Sequence, residues 1–196
     1  MIKKKTLFLL RHGKTGFSGR YVGAMDVPLS SEGISQVEKL QEVFLDKGID
    51  TIYTSPMLRC RQTCEIVFPG AVVSSDDKLR EIHFGRWEGL SFAEISSKDP
   101  DIVGSWAEDV ADFAFPEGES VDLFNKRVQR FATELAAGQG ENIAVVCHGG
   151  VIRSLLCHFL GIDLRKYLVF QVAKGSYSTV ELFGEQGVLT GFNLQQ

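Results

Sequence analysis

The hexapeptide Asn142–Cys147, N-I-A-V-V-C, constrains the fold of this chain more than any other stretch. It is short, apolar and rich in β-branched residues, the pattern of a strand inside a packed sheet. It breaks at once into His148-Gly149-Gly150, after which residues 151–160 read as an apolar helix stopped by Gly161. Near the start, residues 7–10 (L-F-L-L) repeat the arrangement: a short, fully buried strand ending in the polar loop Arg11-His12-Gly13-Lys14-Thr15-Gly16.

The rest of the chain alternates in the same manner. Ser30 or Ser31 can cap a helix whose apolar stripe is Ile34, Val37, Leu40 and Phe44, ended by Gly48. Thr51–Thr54 is a second strand, and Ser55-Pro56 opens a helix running to about Val67. Residues 71–73 (A-V-V) suggest another strand. Val121, Phe124, Val128, Phe131 and Leu135 mark a helix over 120–137, and strands fit Tyr177–Phe183 and residues 188–194. Residues 84–118 resist this pattern, apart from a weak helix start at Ser91 with Glu94 three later, and read as a lid or insertion. Alternating strands and helices predict an α/β fold: three layers, αβα, with a mostly parallel central sheet. No repeat or linker is visible, so 196 residues are expected to form one domain.

Composition excludes several function classes. Lys and Arg total 21 against 25 Asp and Glu, a net charge of −4, which offers nucleic acid no basic face. No apolar run approaches a membrane span. The start Met1-Ile2-Lys3-Lys4-Lys5 is basic, but the apolar run after it is too short for a signal peptide, so a cytoplasmic protein is expected. Cys60, Cys64, Cys147 and Cys157 form no C-x-x-C pair and read as buried thiols. The sequence carries no signal of oligomeric state.

In open α/β sheets ligands bind beyond the carboxyl ends of the strands. If the strands before His12 and His148 are parallel neighbours, two histidines and Arg11 meet at one rim, and Arg59 can reach it. Arginine's planar fork matches phosphate oxygens, and glycines beside each histidine let backbone N–H groups approach an anion. No phosphate-binding loop of the G-x-x-x-x-G-K type is present, nor an Asp/His cluster for two metals. That leaves a covalent route, in which a histidine attacks phosphorus and a carboxylic acid such as Glu81, which reads as lying on a strand end, protonates the leaving group. Spacing alone does not separate Arg59 from Arg61 or Arg80, or Glu81 from the other acidic residues.

The motifs together resemble the histidine phosphatase, or phosphoglycerate-mutase-like, superfamily. They are Leu9-Leu10-Arg11-His12-Gly13, the stretch 23–33 (G-A-M-D-V-P-L-S-S-E-G), the stretch 55–63 (S-P-M-L-R-C-R-Q-T), the stretch 79–89 (L-R-E-I-H-F-G-R-W-E-G) and Val146-Cys147-His148-Gly149-Gly150-Val151. The resemblance covers about residues 7–183. It implies His12 as the nucleophile, Arg11, Arg59 and His148 as the phosphate pocket, and Glu81 as proton donor and then base. It implies substrate contacts from Ser18, Gly23 and Gly149, with no metal and no cofactor. Lys14 departs from the family pattern, where an acidic or small residue is common, and adds a positive charge near the mouth. Residues 106–109 (W-A-E-D), 115–120 (F-P-E-G-E-S) and 124–128 (F-N-K-R-V) are similar to α-ribazole phosphatases of cobalamin assembly. The implied activity is a metal-independent phosphomonoesterase acting on a small phosphorylated metabolite, with α-ribazole 5′-phosphate favoured. The alternatives are a phosphoglycerate mutase or broad phosphatase, and a phosphate-binding module without turnover. Trp87, Phe92, Trp106, Phe113 and Phe115 either stack on a flat aglycone or pack as core aromatics.

Overall fold

A computed structural model describes residues 4–195. Met1, Ile2 and Lys3, the start of the basic stretch weighed above, lie outside the described residues, as does Gln196. The elements run β1 (Lys4–Arg11), α1 (Ser31–Phe44), β2 (Thr51–Thr54), α2 (Leu58–Val67), β3 (Ser74–Ser75), α3 (Phe92–Lys98), α4 (Pro100–Glu108), α5 (Val121–Ala137), β4 (Asn142–Cys147), α6 (Gly149–Leu160), β5 (Tyr177–Phe183) and β6 (Gln186–Leu194). The strands form one six-stranded sheet in the order β3-β2-β4-β1-β5-β6. The pairs β3–β2, β2–β4 and β4–β1 are parallel, whereas β1–β5 and β5–β6 are antiparallel.

The two central strands explain the layers. Side chains alternate across a strand. Leu7 and Leu9 of β1, with Ile143, Val145 and Cys147 of β4, face a core completed by Phe124, Val128 and Phe131 of α5 and Val151 and Leu155 of α6. Phe8 and Leu10, with Ala144 and Val146, face the opposite core of Val37, Leu40 and Phe44 from α1 and Cys60, Cys64 and Val67 from α2. Both faces being covered, β1 and β4 read as continuous apolar runs. The helix after β1 lies on one face and the helix after β4 on the other, so a crevice opens between the carboxyl ends of these neighbours.

Local signals worked best where a cap was available. Ser30 caps α1 through Gly33 N–H, Ser120 caps α5 through Leu123 N–H, and Ser91 with Glu94 forms a reciprocal capping box on α3. The far end of α5 is closed by Lys5, whose ammonium donates to the carbonyls of Leu135, Ala136 and Gly138. Several expectations are corrected. Ile34 of the α1 stripe is 38% exposed. α2 begins at Leu58 rather than Pro56, with Met57 in the cap position. The third strand sits at Ser74–Ser75, because its register on β2 pairs Ser74 with Tyr53 and leaves Val72 in solvent. The stretch before Glu81 is a 3-10 turn, Asp77–Leu79, not a strand. Within 84–118, Trp87, Ile95, Phe113 and Phe115 are buried in the same core as α5 and α6. Among the described residues no helix is long and apolar enough to cross a membrane.

Candidate active site

The register pairs Arg11 with Cys147, so the residues that follow each strand emerge side by side. His12 extends the ladder through its N–H to the Cys147 carbonyl, 3.1 Å. Its ring lies 5.2 Å from that of His148, centroid to centroid. His12 Nδ1 is 2.8 Å from the Gly13 carbonyl. A carbonyl only accepts, so Nδ1 carries the proton and Nε2 keeps a lone pair. Gly13 is required there: a Cβ would stand 2.5 Å from the Gly33 carbonyl, and its own N–H donates to Thr63 Oγ1 at 3.2 Å. His148 is fully buried, with Nε2 2.8 Å from Ser55 Oγ and 3.4 Å from Cys60 Sγ. Burial keeps Cys60 a neutral thiol by raising its pKa.

Arg59 stands at the same rim and is completely buried. Its Nη1 donates to the Met25 carbonyl at 2.8 Å and its Nη2 to the Gly23 carbonyl at 2.9 Å. No carboxylate pairs with it, and its Nε has no partner among the described residues. A buried guanidinium without a counter-ion is costly unless an anion arrives. Arg11 is similar: Nη1 reaches the Val172 carbonyl at 2.5 Å, while Nε is buried and unpartnered. Its guanidinium lies against Gly149, where a Cβ would come within 3.1 Å of Cζ. Both histidines feel these cations. Burial first, then Arg11 and Arg59, holds the His12 pKa well below the ordinary histidine value. Burial first, then Arg59, His12 and Arg11, does the same to His148.

Glu81 faces them from the loop after the 3-10 turn. Its Oε2 accepts from Gly150 N–H at 3.0 Å, in the first turn of α6, and its Oε1 from Ile82 N–H at 3.2 Å. A Cβ at Gly150 would collide with this carboxylate. Arg127 of α5 anchors the loop from behind, donating to the carbonyls of Lys78, Arg80 and Glu81 and pairing with Glu119 at 2.8 Å.

Of the residues singled out in the sequence, Arg11, His12, Glu81 and Gly149 line one cavity of about 320 Å³, with Arg59 and His148 buried at the same rim. Ser18 and Gly23 do not line it. Ser18 is exposed, and the buried Thr15 occupies the wall instead. Gly23 supports Arg59 through its carbonyl and packs so closely on the Ile82 carbonyl that no Cβ fits. Lys14 is also off the wall, its ammonium paired with Glu32. Of the five aromatics, Trp106 and Phe115 reach the wall; Trp87 and Phe113 are core, and Phe92 is half exposed. Arg153, Tyr167 and Lys174 also line the cavity and were not singled out in the sequence. The available signal was the Lys174-Gly175 turn before β5, which runs antiparallel to β1 and therefore begins where β1 ends. Gly175 N–H donates to the His12 carbonyl at 3.0 Å. Among the described residues no three His, Cys, Asp or Glu side chains converge as a metal site.

Comparison with known proteins adds an independent line. The family model described as histidine phosphatase superfamily (branch 1) matches residues 7–195. Phosphoserine phosphatase 1 of Hydrogenobacter thermophilus is 31% identical over 193 residues, 96% of this chain and 92% of that protein. The adenosylcobalamin/alpha-ribazole phosphatase of Salmonella typhimurium is 29% identical over 181 residues, 90% of each chain. The crystal structure of a putative alpha-ribazole-5'-P phosphatase from Escherichia coli superposes with a TM-score of 0.91 at 28% identity, covering 97% of both chains.

Proposed function

Because the chain belongs to the histidine phosphatase superfamily and is a phosphoric monoester hydrolase, we propose that it works through a phosphohistidine on His12. The Nε2 lone pair attacks phosphorus as the P–O bond to the leaving group breaks. Arg11, Arg59 and His148 hold the charge spread over the equatorial oxygens. Glu81 gives its proton to the leaving alkoxide. The resulting carboxylate then takes a proton from water, which attacks phosphorus, breaks the N–P bond and releases inorganic phosphate. The observation that carries this reading is the His12 Nδ1–Gly13 contact beside two guanidinium groups with no paired carboxylate among the described residues. It supports a neutral imidazole, with Nε2 free to attack, next to charge waiting for an anion.

The substrate is a small phosphorylated metabolite. Two readings are supported by different observations. The local sequence resemblance and the wall residues Trp106 and Phe115 favour α-ribazole 5′-phosphate, which would tie the enzyme to cobalamin biosynthesis in the cytoplasm. Arg153 and Lys174 favour an acidic phosphomonoester such as phosphoserine, because a neutral nucleoside would leave them unpaired.

The mechanism is tested by quenching turnover of radiolabelled substrate in alkali, which preserves phosphohistidine. Label is expected on the wild-type protein and absent from His12→Ala, whose kcat falls by roughly three orders of magnitude or more. A chelator is expected to leave the wild-type rate unchanged. Label that persists without His12, or a chelated enzyme revived by Mg²⁺, would sink the reading.

A further inference from the structure

Arg59 touches no carboxylate among the described residues, yet one stands two hydrogen bonds away. The Glu88 carboxylate accepts from four backbone N–H groups: Ala24 at 2.8 Å and Phe84 at 3.0 Å on Oε1, Gly23 at 3.0 Å and Met25 at 3.4 Å on Oε2. The carbonyls of the same segment face the other way. Those of Gly23 and Met25 accept from the two ends of the Arg59 fork, and that of Val22 lies 3.5 Å from Nη2. A trans peptide is planar, so its C=O and N–H point in opposite directions. In the unit joining Val22 to Gly23, and in the next joining Gly23 to Ala24, the C=O meets the guanidinium and the N–H meets the carboxylate. Two peptide dipoles are lined up between an anion and a cation, each in its favourable sense, and such chains polarise one another.

The segment grips Arg59 from both sides. Carbonyls hold the ends of the fork, which leaves the buried, unpartnered Nε–H for an oxyanion. Asp26, next along the segment, accepts from the Leu58 N–H at 2.6 Å and so secures the start of α2, the turn that carries Arg59. Gly23 admits no Cβ, because one would stand 1.8 Å from the Ile82 carbonyl, so the segment also packs on the loop that bears Glu81. The Phe84 N–H ties that same loop to the Glu88 carboxylate. Glu88 itself is half-buried and is not on the cavity wall.

We propose that Glu88 is a positioning residue, which holds the Arg59 guanidinium in place for the phosphoryl group through the peptide units of residues 22–24. This rests on the phosphatase reading above and adds to that site a carboxylate that acts through Arg59. Without it, the three N–H groups of Gly23, Ala24 and Met25 lose their acceptor. Unsatisfied donors turn to find others, and the carbonyls that hold the fork turn with them. Because Arg59 serves the equatorial oxygens, the loss falls on every phosphomonoester alike, whatever its leaving group.

The test begins with Glu88→Gln, which keeps the shape but sets an NH2 donor against backbone donors. Vanadate affinity is expected to weaken about tenfold, and kcat/KM to fall by a like factor on both ethyl phosphate and p-nitrophenyl phosphate, the scale of one charge-assisted contact. A merely structural role would lower the melting temperature and the active fraction but leave the vanadate Kd of the folded protein as it was. A mutant cycle identifies the route. In an Arg59→Met background, adding Glu88→Gln should change kcat/KM on p-nitrophenyl phosphate by less than about twofold, since the group that Glu88 holds is already gone. Losses that multiply in the double variant, or a vanadate Kd untouched by Glu88→Gln, would overturn the proposal. If Glu88→Gln does not fold, Glu88→Asp, whose shorter carboxylate gives up part of the contacts, goes through the same cycle and is judged by the same two outcomes. No turnover by the wild type would remove the phosphatase reading alone, and the vanadate measurement would still decide whether Glu88 holds Arg59.

Discussion

Two buried histidines set how this site responds to acid. In the folded protein both have pKa values well below the ordinary 6.5, chiefly because burial disfavours the imidazolium. In the unfolded chain they titrate normally. Above about pH 6.5 the two states carry the same protons there. Below it the unfolded chain binds protons that the native state refuses, so stability falls as pH drops toward the native pKa values, by up to about 1.4 kcal/mol per pH unit per histidine. Melting temperatures recorded from pH 8 to pH 5 should decline on the acid side, less steeply for His148→Asn. A flat profile would mean that the native rings take up protons as readily as free ones. At this scale the sequence was legible wherever a residue follows a strand directly, as His12 and His148 do. It was not legible for the arginines. Arg59, Arg61 and Arg80 looked alike; helix phase turns Arg59 inward to no exposure and Arg61 outward, and Arg80, just past the 3-10 turn, faces solvent.

Elements show what decides a boundary. Val72 and Val73 have the propensity of a strand, yet the sheet edge takes Ser74 and Ser75 because pairing with β2 outweighs local preference. The α2 start lies at Leu58 rather than Pro56, with Ser55 Oγ accepting from the Met57 N–H at 3.4 Å while it also meets His148 Nε2 at 2.8 Å. Glu81 was assigned to a strand end and instead rides a loop whose backbone is gripped by Arg127. That grip came from a residue on α5, far along the chain, and had no local signature. It carries a consequence for turnover. Arg127→Met should loosen the Glu81 loop and lower kcat for alkyl phosphates by about tenfold, with little change in KM, because the proton donor loses its position. Turnover of p-nitrophenyl phosphate, whose leaving group needs little protonation, should fall much less. Equal losses on both substrates would assign Arg127 to general stability alone.

The whole molecule was readable in its layers. Continuous apolar runs at residues 7–10 and 142–147 implied strands covered on both faces, and the sheet delivers this, with β1 and β4 as adjacent parallel neighbours. The antiparallel β5 and β6 were visible as strands but not as a second source of site residues, because direction in the sheet is a tertiary property. Lys174, in the turn before β5, escaped notice for that reason. With Arg59 buried and no carboxylate paired with it among the described residues, the free protein stores unfavourable electrostatic energy that an anion relieves. Inorganic phosphate or vanadate should therefore raise the melting temperature. Binding only the native state at a hundred times Kd is worth about 2.7 kcal/mol. Melting curves that ignore both anions would argue against an anion pocket.

The adjacency of β1 and β4 also governs how the chain can acquire its activity. The nucleophile and its partner histidine are far apart in the chain, in the loop after the first strand and in the one after the fourth, and the ladder that sets Arg11 beside Cys147 brings them together. Closing so long a loop is slow compared with winding a helix. In a refolding experiment, helical signal should recover first, and phosphate release should lag until the central strands zip together. Turnover in this protein is thus a clock for one event, the meeting of two strands that lie far apart along the chain.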